Sequence, residues 1–229
     1  MGRPSKALLS RQIIARAALE VVDEAGAEGL TMRALAERLG VKAASLYNHV
    51  AGKDELVDAL SELVNEEIDL APLADPDWHA GVGAYARGYR AVFLRHPNTI
   101  ALLARRRVEA DLQLRGYDAL LAALARAGLA PADAAEAAAA LDYLVLGSAL
   151  ETFTAGFTRA PAAYRPRFPA LADSLEAAAA RSAEGAAGPQ PEQGAGLDDR
   201  GFELALRMLL EGLRARRDGQ QAAKVIPTT

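Results

Sequence analysis

The chain has 229 residues, of which 51% are hydrophobic and 24% are charged, and its formal net charge is -4. These are the proportions of an ordinary globular protein, so the chain is not disordered over its whole length. No apolar run approaches the roughly 20 residues that a membrane-spanning helix needs, and the basic N-terminus lacks the apolar centre of a signal peptide. With no cysteine, disulfides and thiolate sites are excluded. We expect a cytoplasmic location and no membrane partner.

The charge is unevenly distributed along the chain. Residues 1–53 contain eight Lys or Arg and five acidic residues, a net charge of +3, which leaves -7 for the remainder. No carboxylate occurs between Glu37 and Asp54, where the cations Arg38, Lys42 and Lys53 lie. An anionic partner is therefore expected to meet the N-terminal segment.

Apolar residues recur with helical spacing along the chain, and this predicts an all-α fold. The N-terminal segment divides into three short helices. The first carries apolar pairs every four residues and stops at Gly26, the second runs from an N-cap at Thr31 to Gly40, and the third covers residues 42–50. A tight glycine turn between the second and third helices is typical of a helix-turn-helix module.

A longer fourth helix is predicted over residues 52–72. Further helices are predicted at residues 78–95, 97–107, 109–127, 131–157 and 198–216. We therefore expect two domains: a helix-turn-helix domain with its connecting helix at 1–70, and a larger helical domain at 71–217. Gly, Pro and Gln predict a flexible loop at 184–196, and residues 218–229 are predicted to be a disordered tail.

The last predicted helix is apolar around most of its circumference. Its polar side chains form one narrow stripe of Glu203, Arg207, Glu211 and Arg214. One core cannot easily cover so wide an apolar surface, and the alanine-rich helix at 131–157 offers a second close-packing face. We predict a homodimer in which the 131–157 and 198–216 helices form a four-helix bundle across a two-fold axis.

A family resemblance is carried by residues 29–60, which read GLTMRALAERLGVKAASLYNHVAGKDELVDAL. Their Leu-Tyr-x-His-Val, followed by Lys-x-Glu-Leu, resembles the signature of the TetR family of bacterial transcriptional regulators. Trp78, FLRHP at 93–97 and LVLGSALE at 144–151 resemble the tetracycline-repressor subgroup. The resemblance implies an N-terminal DNA-binding module followed by a domain for ligand binding and dimerisation. It also implies a sequence-specific repressor that binds double-stranded operator DNA and is released by a small-molecule effector.

The resemblance further implies which residues contact DNA. Tyr47 and Lys53 occupy positions that touch phosphates. The positions that face base edges or nearby backbone are Arg33, Lys42, Ala43, Ala44, Ser45 and Asn48. For His49, a phosphate contact and a packing or capping role are equally good interpretations. The chemistry agrees, because cations and hydroxyls bond phosphate oxygens, and Arg or Asn can pair with base edges through two hydrogen bonds.

A ligand pocket in the second domain is also implied. Its candidate lining consists of Phe93, Leu103, Tyr117, Tyr143, Leu146, Leu150 and Phe153, with Arg107, Asp142 and Glu151 as polar contacts. Each aromatic residue taken alone is better explained as core. Tetracycline repressors hold magnesium through a histidine on the sixth helix and the drug through one on the fourth, where this chain has Leu103 and Asp69. We expect an unidentified effector other than tetracycline, and no metal or cofactor.

Two other classes of protein are alternatives. An enzyme is disfavoured because the sequence has no cysteine nucleophile, no Gly-rich phosphate loop, no HExxH and no spacing typical of a Ser-His-Asp triad, so we expect no catalytic residues. His79 and His96 lack partners at metal-ligand spacing and are assigned surface or structural roles. An architectural DNA binder without an effector would bind DNA in a salt-sensitive manner with little sequence preference.

Overall fold

The computed structural model describes residues 9–103, 111–150, 156–186 and 196–225. Within these ranges the chain forms ten α-helices and no strand, which confirms the prediction of an all-α fold. The helices are α1 (Arg11–Gly29), α2 (Met32–Leu39), α3 (Ala43–Leu46), α4 (Lys53–Glu66), α5 (Trp78–Arg95), α6 (Pro97–Leu103), α7 (Asp111–Arg126), α8 (Pro131–Leu150), α9 (Pro169–Ala186) and α10 (Leu197–Val225). Short 3-10 helices cover Ala71–Ala74 and Pro161–Ala163. No helix in the described ranges is long and apolar enough to span a membrane.

The chain divides into two compact units, Met1–Ala127 and Gly128–Thr229. In the first unit, α1 packs against α2, α4 and α6, and α5 packs against the Ala71–Ala74 turn, α6 and α7. In the second unit, α10 packs against α8 and α9. Packing thus groups α5, α6 and α7 with the N-terminal helices, whereas the division into functional domains at residue 70 stays a prediction.

The first helix is built around an inward stripe spaced by four residues. Ser10 caps it by accepting a hydrogen bond on Oγ from the Ile13 amide at 3.2 Å. Ile14, Ala18 and Val22 are completely buried, as the apolar pairs predict. The predicted stop at Gly26 is a kink instead: Gly26 has a φ of +73°, and the helix resumes as far as Gly29.

The fourth helix is shorter than predicted. It ends at Glu66 rather than near residue 72, and the carboxylate of Asp69 accepts a hydrogen bond from the Ala71 amide at 2.9 Å. An Asp that bonds the backbone two residues ahead favours a turn over continued helix. The 3-10 helix at Ala71–Ala74 follows directly.

The fifth helix begins and ends where the sequence predicts, and it approaches the preceding turn closely. Asp77 caps it by accepting hydrogen bonds from the amides of His79 and Ala80 at 3.0 and 3.4 Å. A Cβ on Gly81 would lie 2.4 Å from the carbonyl oxygen of Pro72. Only glycine therefore allows α5 to pack at this distance from the Ala71–Ala74 turn.

The last helix extends beyond its predicted end at residue 216 and includes most of the segment predicted as a tail, since it reaches Val225. Arg216 forms ion pairs with Asp133 and with Glu136, the latter at 3.0 Å, and Gln220 donates to the second oxygen of Asp133. These contacts with α8 give the C-terminal turns a tertiary partner. The prediction of a disordered tail from residue 218 is therefore wrong as far as Val225.

Other boundaries also differ from the predicted ones. Helix α9 was not predicted, because its alanine-rich sequence has a weak apolar pattern, and it covers the first three residues of the loop predicted at 184–196. The predicted helix at 131–157 is described as far as Leu150, and Phe157 is not helical. The predicted helix at 97–107 is described as far as Leu103.

Candidate nucleic-acid interface

The turn between α2 and α3 depends on Gly40. Its φ of +62° lies in the left-handed region. The amides of Gly40 and Val41 bond to the carbonyl oxygens of Glu37 and Ala36 at 3.1 and 3.0 Å. This pair of bonds is a Schellman motif, which ends α2 and redirects the chain. The helix-turn-helix geometry thus follows from a residue that adopts a positive φ without a Cβ clash.

The segment after this turn, residues 42–50, is termed the recognition segment. Its regular helix is only Ala43–Leu46, and a turn continues it to His49. Leu46 and Val50 are 0% and 1% exposed, so they determine which side of the segment faces solvent. Of the nine predicted contact residues, eight are exposed and Ser45 is half-buried. The exposed residues are accessible to a partner, and their contact with DNA stays a prediction.

Lys53 is the first residue of α4 and follows the recognition segment closely. The Ala51 amide donates to Glu55 Oε2 at 2.6 Å, which ties the intervening loop to the first turn of α4. Arg11 on α1 contacts Glu55 at 3.7 Å and Glu62 at 2.7 Å. The hydrogen bond to Glu62 raises the pKa of Arg11. Two helices thus hold the loop that presents Lys53.

One cation of the acid-free stretch, Arg38, is paired with carboxylates of the same protein. Arg38 bonds to Glu20 at 3.0 Å and to both carboxylate oxygens of Glu24. The hydrogen bond to Glu24 is the main cause of the raised pKa of Arg38, and the same bond lowers the pKa of Glu24. Arg38 lies in the acid-free stretch, but its contacts hold α2 against α1. Its charge is therefore compensated within the protein.

Three other cations are free of such contacts. Arg33, Lys42 and Lys53 are exposed, and none has an ion-pair partner in the part of the chain that the structure describes. Tyr47, 55% exposed, and Asn48 lie between the two lysines in the sequence. These five residues, which extend from α2 to the first residue of α4, are termed the α2–α3 face. Uncompensated cations attract phosphates, and a phenol and an amide supply directional hydrogen bonds.

The predicted ligand-site residues are distributed over both units. Phe93 is buried and Leu103 and Tyr117 are half-buried in the first unit, whereas in the second Asp142 and Leu146 are half-buried and Tyr143 and Leu150 are exposed. Arg107, Glu151 and Phe153 lie outside the described residues. An open groove of about 710 Å³ lies between α9 and α10, and none of the predicted residues lines it. The ligand site stays a prediction.

A polar junction that the sequence did not indicate joins α1 to the corner between α5 and α6. His96 Nδ1 lies 2.8 Å from Asp23 Oδ2, and Nε2 lies 3.3 Å from Glu67 Oε1 at the end of α4. Arg95 also bonds to Glu67, at 2.5 Å. Asn98 donates to two carbonyl oxygens near the end of α1, both at 3.1 Å. These five residues are termed the α1–α6 junction.

The junction contains a perturbed carboxylate. Burial favours the neutral form of Glu67, but the hydrogen bond from Arg95 and the neighbouring His96 outweigh it, and the pKa of Glu67 is lowered. Asp23 and His96 are 73 positions apart, so no local pattern could have revealed their contact. Among the described residues, no group of three or more His, Cys, Asp or Glu side chains could hold a metal ion.

Two family models match the chain over most of its length. Residues 14–60 match bacterial regulatory proteins of the tetR family, and residues 71–217 match the tetracyclin repressor-like C-terminal domain. The chain belongs to the TetR family. Members of this family are DNA-binding transcriptional regulators that act as dimers and respond to small molecules. Membership confirms the predicted resemblance, and it identifies this TetR protein as a regulator rather than an enzyme.

Individual TetR relatives match nearly the whole chain. The protein is 34% identical over 215 residues to the class A tetracycline repressor protein from transposon 1721 of Escherichia coli, covering 91% of this chain and 92% of that protein. Apo ActR from Streptomyces coelicolor has a TM-score of 0.73 at 26% identity, covering 93% of this chain and 99% of that one. ActR in complex with actinorhodin has a TM-score of 0.67 at 26% identity, covering 92% and 99%.

Proposed function

We propose that this TetR-family regulator is a repressor that occupies a pseudo-palindromic operator as a homodimer and leaves it when a small molecule binds the second domain. The observation that carries the proposal is the α2–α3 face. It presents three exposed cations that lack ion-pair partners among the described residues, beside Tyr47 and Asn48. In a protein with a net charge of -4, such a concentration of free positive charge suits a polyanion.

The residues of the α2–α3 face are proposed to make two kinds of contact with DNA. Tyr47 and Lys53 contact phosphates, which position the protein without reading sequence. Asn48 can pair with adenine, and Arg33 with guanine, through two hydrogen bonds. Lys42, Ala43, Ala44, Ser45 and His49 are proposed to complete the contact with base edges and nearby backbone.

Dimerisation is proposed to use α8 and α10. Their exposed large apolar residues are Tyr143 (77%) and Leu150 (61%) on α8, with Leu204 (50%) and Met208 (65%) on α10. Spacings of seven and four residues place each pair on one side of its helix, and α8 and α10 pack against each other. Apolar patches of this kind mark interaction surfaces. A second copy would cover them in a four-helix bundle within the predicted 131–157 and 198–216 segments.

A two-fold dimer would give the operator its proposed symmetry and would allow a ligand to release it. Two recognition segments reach successive major grooves only if they are roughly 34–36 Å apart. A ligand shifts the protein away from DNA to the extent that it prefers a conformation with a different spacing. The fourth helix, α4, follows the recognition segment and packs against α6 and α7, so it is the proposed lever.

The effector is proposed to bind without a metal ion. At the two positions where tetracycline repressors carry histidine, this chain has Asp69 and a half-buried Leu103. Asp69 bonds to the Ala71 amide beyond the end of α4. ActR, a structurally similar protein, has been solved in complex with actinorhodin. We therefore expect tetracycline with magnesium to leave the protein bound to its operator.

Charge removal at the α2–α3 face tests the DNA-binding part of the proposal. Lys53→Ala should weaken binding to a labelled duplex by about threefold to tenfold and reduce the salt slope by about one, because one phosphate contact is lost. Arg159→Ala is the matched control, since it removes one exposed positive charge from the second unit. Fluorescence anisotropy at two salt concentrations measures both quantities. Equal effects of the two variants would contradict the assignment of this face.

A further inference from the structure

His96 sits where three helices meet. It follows α5, and its ring contacts Asp23 on α1 and Glu67 at the end of α4 at the two distances given above. Both partners are carboxylates, which accept hydrogen bonds but do not donate them when ionised. A neutral imidazole has one N–H donor, whereas the imidazolium has two. Only the protonated ring can therefore donate to both partners at once.

The ring lies between two carboxylates. Among the described residues, the charged groups recorded at the ring are Asp23 from α1 and Glu67 at the end of α4, and Arg95, the last residue of α5, pairs with Glu67. Arg95 compensates part of the charge of Glu67. Asp23 Oδ1 is buried and has no hydrogen-bond partner among the described residues, so the contact recorded for the Asp23 carboxylate is the one between Oδ2 and the His96 ring. The ring itself is 14% exposed, which limits screening by solvent.

We infer that His96 is a proton-responsive lock that fastens α1 to the end of α4 and the α5–α6 corner when the ring is protonated. Loss of the proton removes one N–H donor and turns a nitrogen lone pair toward a carboxylate. Histidine is the side chain whose ordinary titration range lies closest to neutral pH. A comparison of pH 6 with pH 8, on either side of that ordinary range, therefore tests the lock.

Opening the lock loosens the junction without releasing it. Asn98 keeps its two bonds to the carbonyl oxygens of α1 at any pH in this range, and α1 still packs against α4 and α6. The expected change is a local increase in opening rather than unfolding.

A consequence for DNA binding rests on the proposed function. The first helix belongs to the helix-turn-helix module, and α4 connects that module to the rest of the first unit. A module that is already held in place loses less conformational freedom on binding. Operator affinity should therefore fall between pH 6 and pH 8 more steeply in the wild type than in His96→Gln.

Hydrogen exchange on the full chain without DNA tests the lock directly. Protection factors correct for the intrinsic pH dependence of amide exchange. In the wild type, the protection factors of α6 and of the last turns of α1 should be about fivefold lower at pH 8 than at pH 6. A change of this size is expected when one partly exposed charged contact is lost. In His96→Gln this difference should disappear. Glu67→Gln, which keeps the ring, should reduce it.

His49→Gln is the matched control, because it removes an exposed histidine from the recognition segment and should leave the difference as in the wild type. Equal protection at both pH values in the wild type, or a difference that persists in His96→Gln, would overturn the lock. Operator affinity is measured separately. A pH dependence that is the same in the wild type and His96→Gln would overturn only the link to DNA binding.

Discussion

Tyr47 and Asn48 are adjacent and exposed, yet their side chains are suited to different parts of DNA. A phenol has one hydroxyl, which suits a single phosphate oxygen, whereas an amide donates and accepts and can read a base edge. The buried side chains of Leu46 and Val50 hold the segment so that both face solvent. At the scale of single residues, affinity and sequence preference should therefore be separable.

The pair yields a direct prediction. Asn48→Ala should reduce discrimination at one base pair by about 1–3 kcal/mol, because a bidentate contact is lost. Tyr47→Phe should weaken binding to all sequences about equally, since a phosphate contact carries no base information. Competition anisotropy against single-base variants of the operator measures both effects. Unchanged affinity and unchanged preference in both variants would refute the assignment.

Residue-scale prediction from sequence succeeded where local periodicity was sufficient. The inward positions of Leu46 and Val50 followed from helical spacing, and they determined the exposed face. Arg38 was different, because its partners Glu20 and Glu24 lie 18 and 14 positions away on another helix. The sequence shows that the stretch between Glu37 and Asp54 lacks acidic residues. Only the fold shows which acidic residues from elsewhere contact its cations.

At the scale of elements, close approach depends on single side chains. Helix α5 passes so near the Ala71–Ala74 turn that Gly81 has no room for a Cβ beside the Pro72 carbonyl. The clash would be with backbone, which cannot rotate away as a flexible side chain does. Gly88, on the same helix, has nothing within 4 Å of its ideal Cβ position.

These two glycines give a matched prediction for stability. Gly81→Ala should lower the free energy of unfolding by about 1–3 kcal/mol, the usual cost of overpacking. Gly88→Ala should leave it unchanged or raise it by up to about 1 kcal/mol, because alanine is the better helix former. Urea denaturation at one protein concentration compares them. A Gly81→Ala protein as stable as the wild type would show that the two elements can separate at little cost.

The end of α10 is held to α8 by a buried carboxylate. Asp133 is 7% exposed. Its carboxylate forms an ion pair with Arg216 and accepts a hydrogen bond from Gln220, both on α10. The sequence placed the helix end at residue 216 because few apolar residues follow. Tertiary contacts of polar side chains, which periodicity does not register, extend the helix to Val225.

Removing one of these contacts should be costly. Arg216→Ala should destabilise the protein by about 1–3 kcal/mol, because it leaves a buried carboxylate without its cation. Arg214→Ala is the control on the same helix, since it removes only an exposed pair with Glu211 at 3.4 Å and should cost less than about 0.5 kcal/mol. Thermal unfolding of both variants at matched protein concentration measures the loss of stability in each. Indistinguishable variants would show that Asp133 does not need its ion pair.

At the scale of the whole molecule, the proposed operator binding requires two copies of the chain. Helices α8 and α10 expose large apolar side chains, although both also have buried sides within their own unit. The breadth of the apolar surface was visible in the sequence. Which residues remain outside the core was not, because that depends on how α8, α9 and α10 pack.

Assembly can be tested at one exposed position. Met208→Asp should convert the dimer to a folded monomer at micromolar concentration, because Met208 is 65% exposed in the single chain and a desolvated, unpaired charge opposes association. Leu114→Asp, at a position on α7 that is 47% exposed, should leave the protein dimeric. Analytical ultracentrifugation gives the mass, and circular dichroism checks folding. A Met208→Asp protein that stays dimeric would place the interface elsewhere.

The central claim, sequence-specific operator binding by a dimer, is tested most directly by selecting bound sequences from a random duplex library with the full chain. We expect a pseudo-palindromic motif whose half-site centres are about 10 base pairs or a multiple of that spacing apart, with binding that weakens as salt rises. Salt-sensitive binding without a motif would indicate an architectural DNA binder. No binding at either pH 6 or pH 8 would contradict the account altogether.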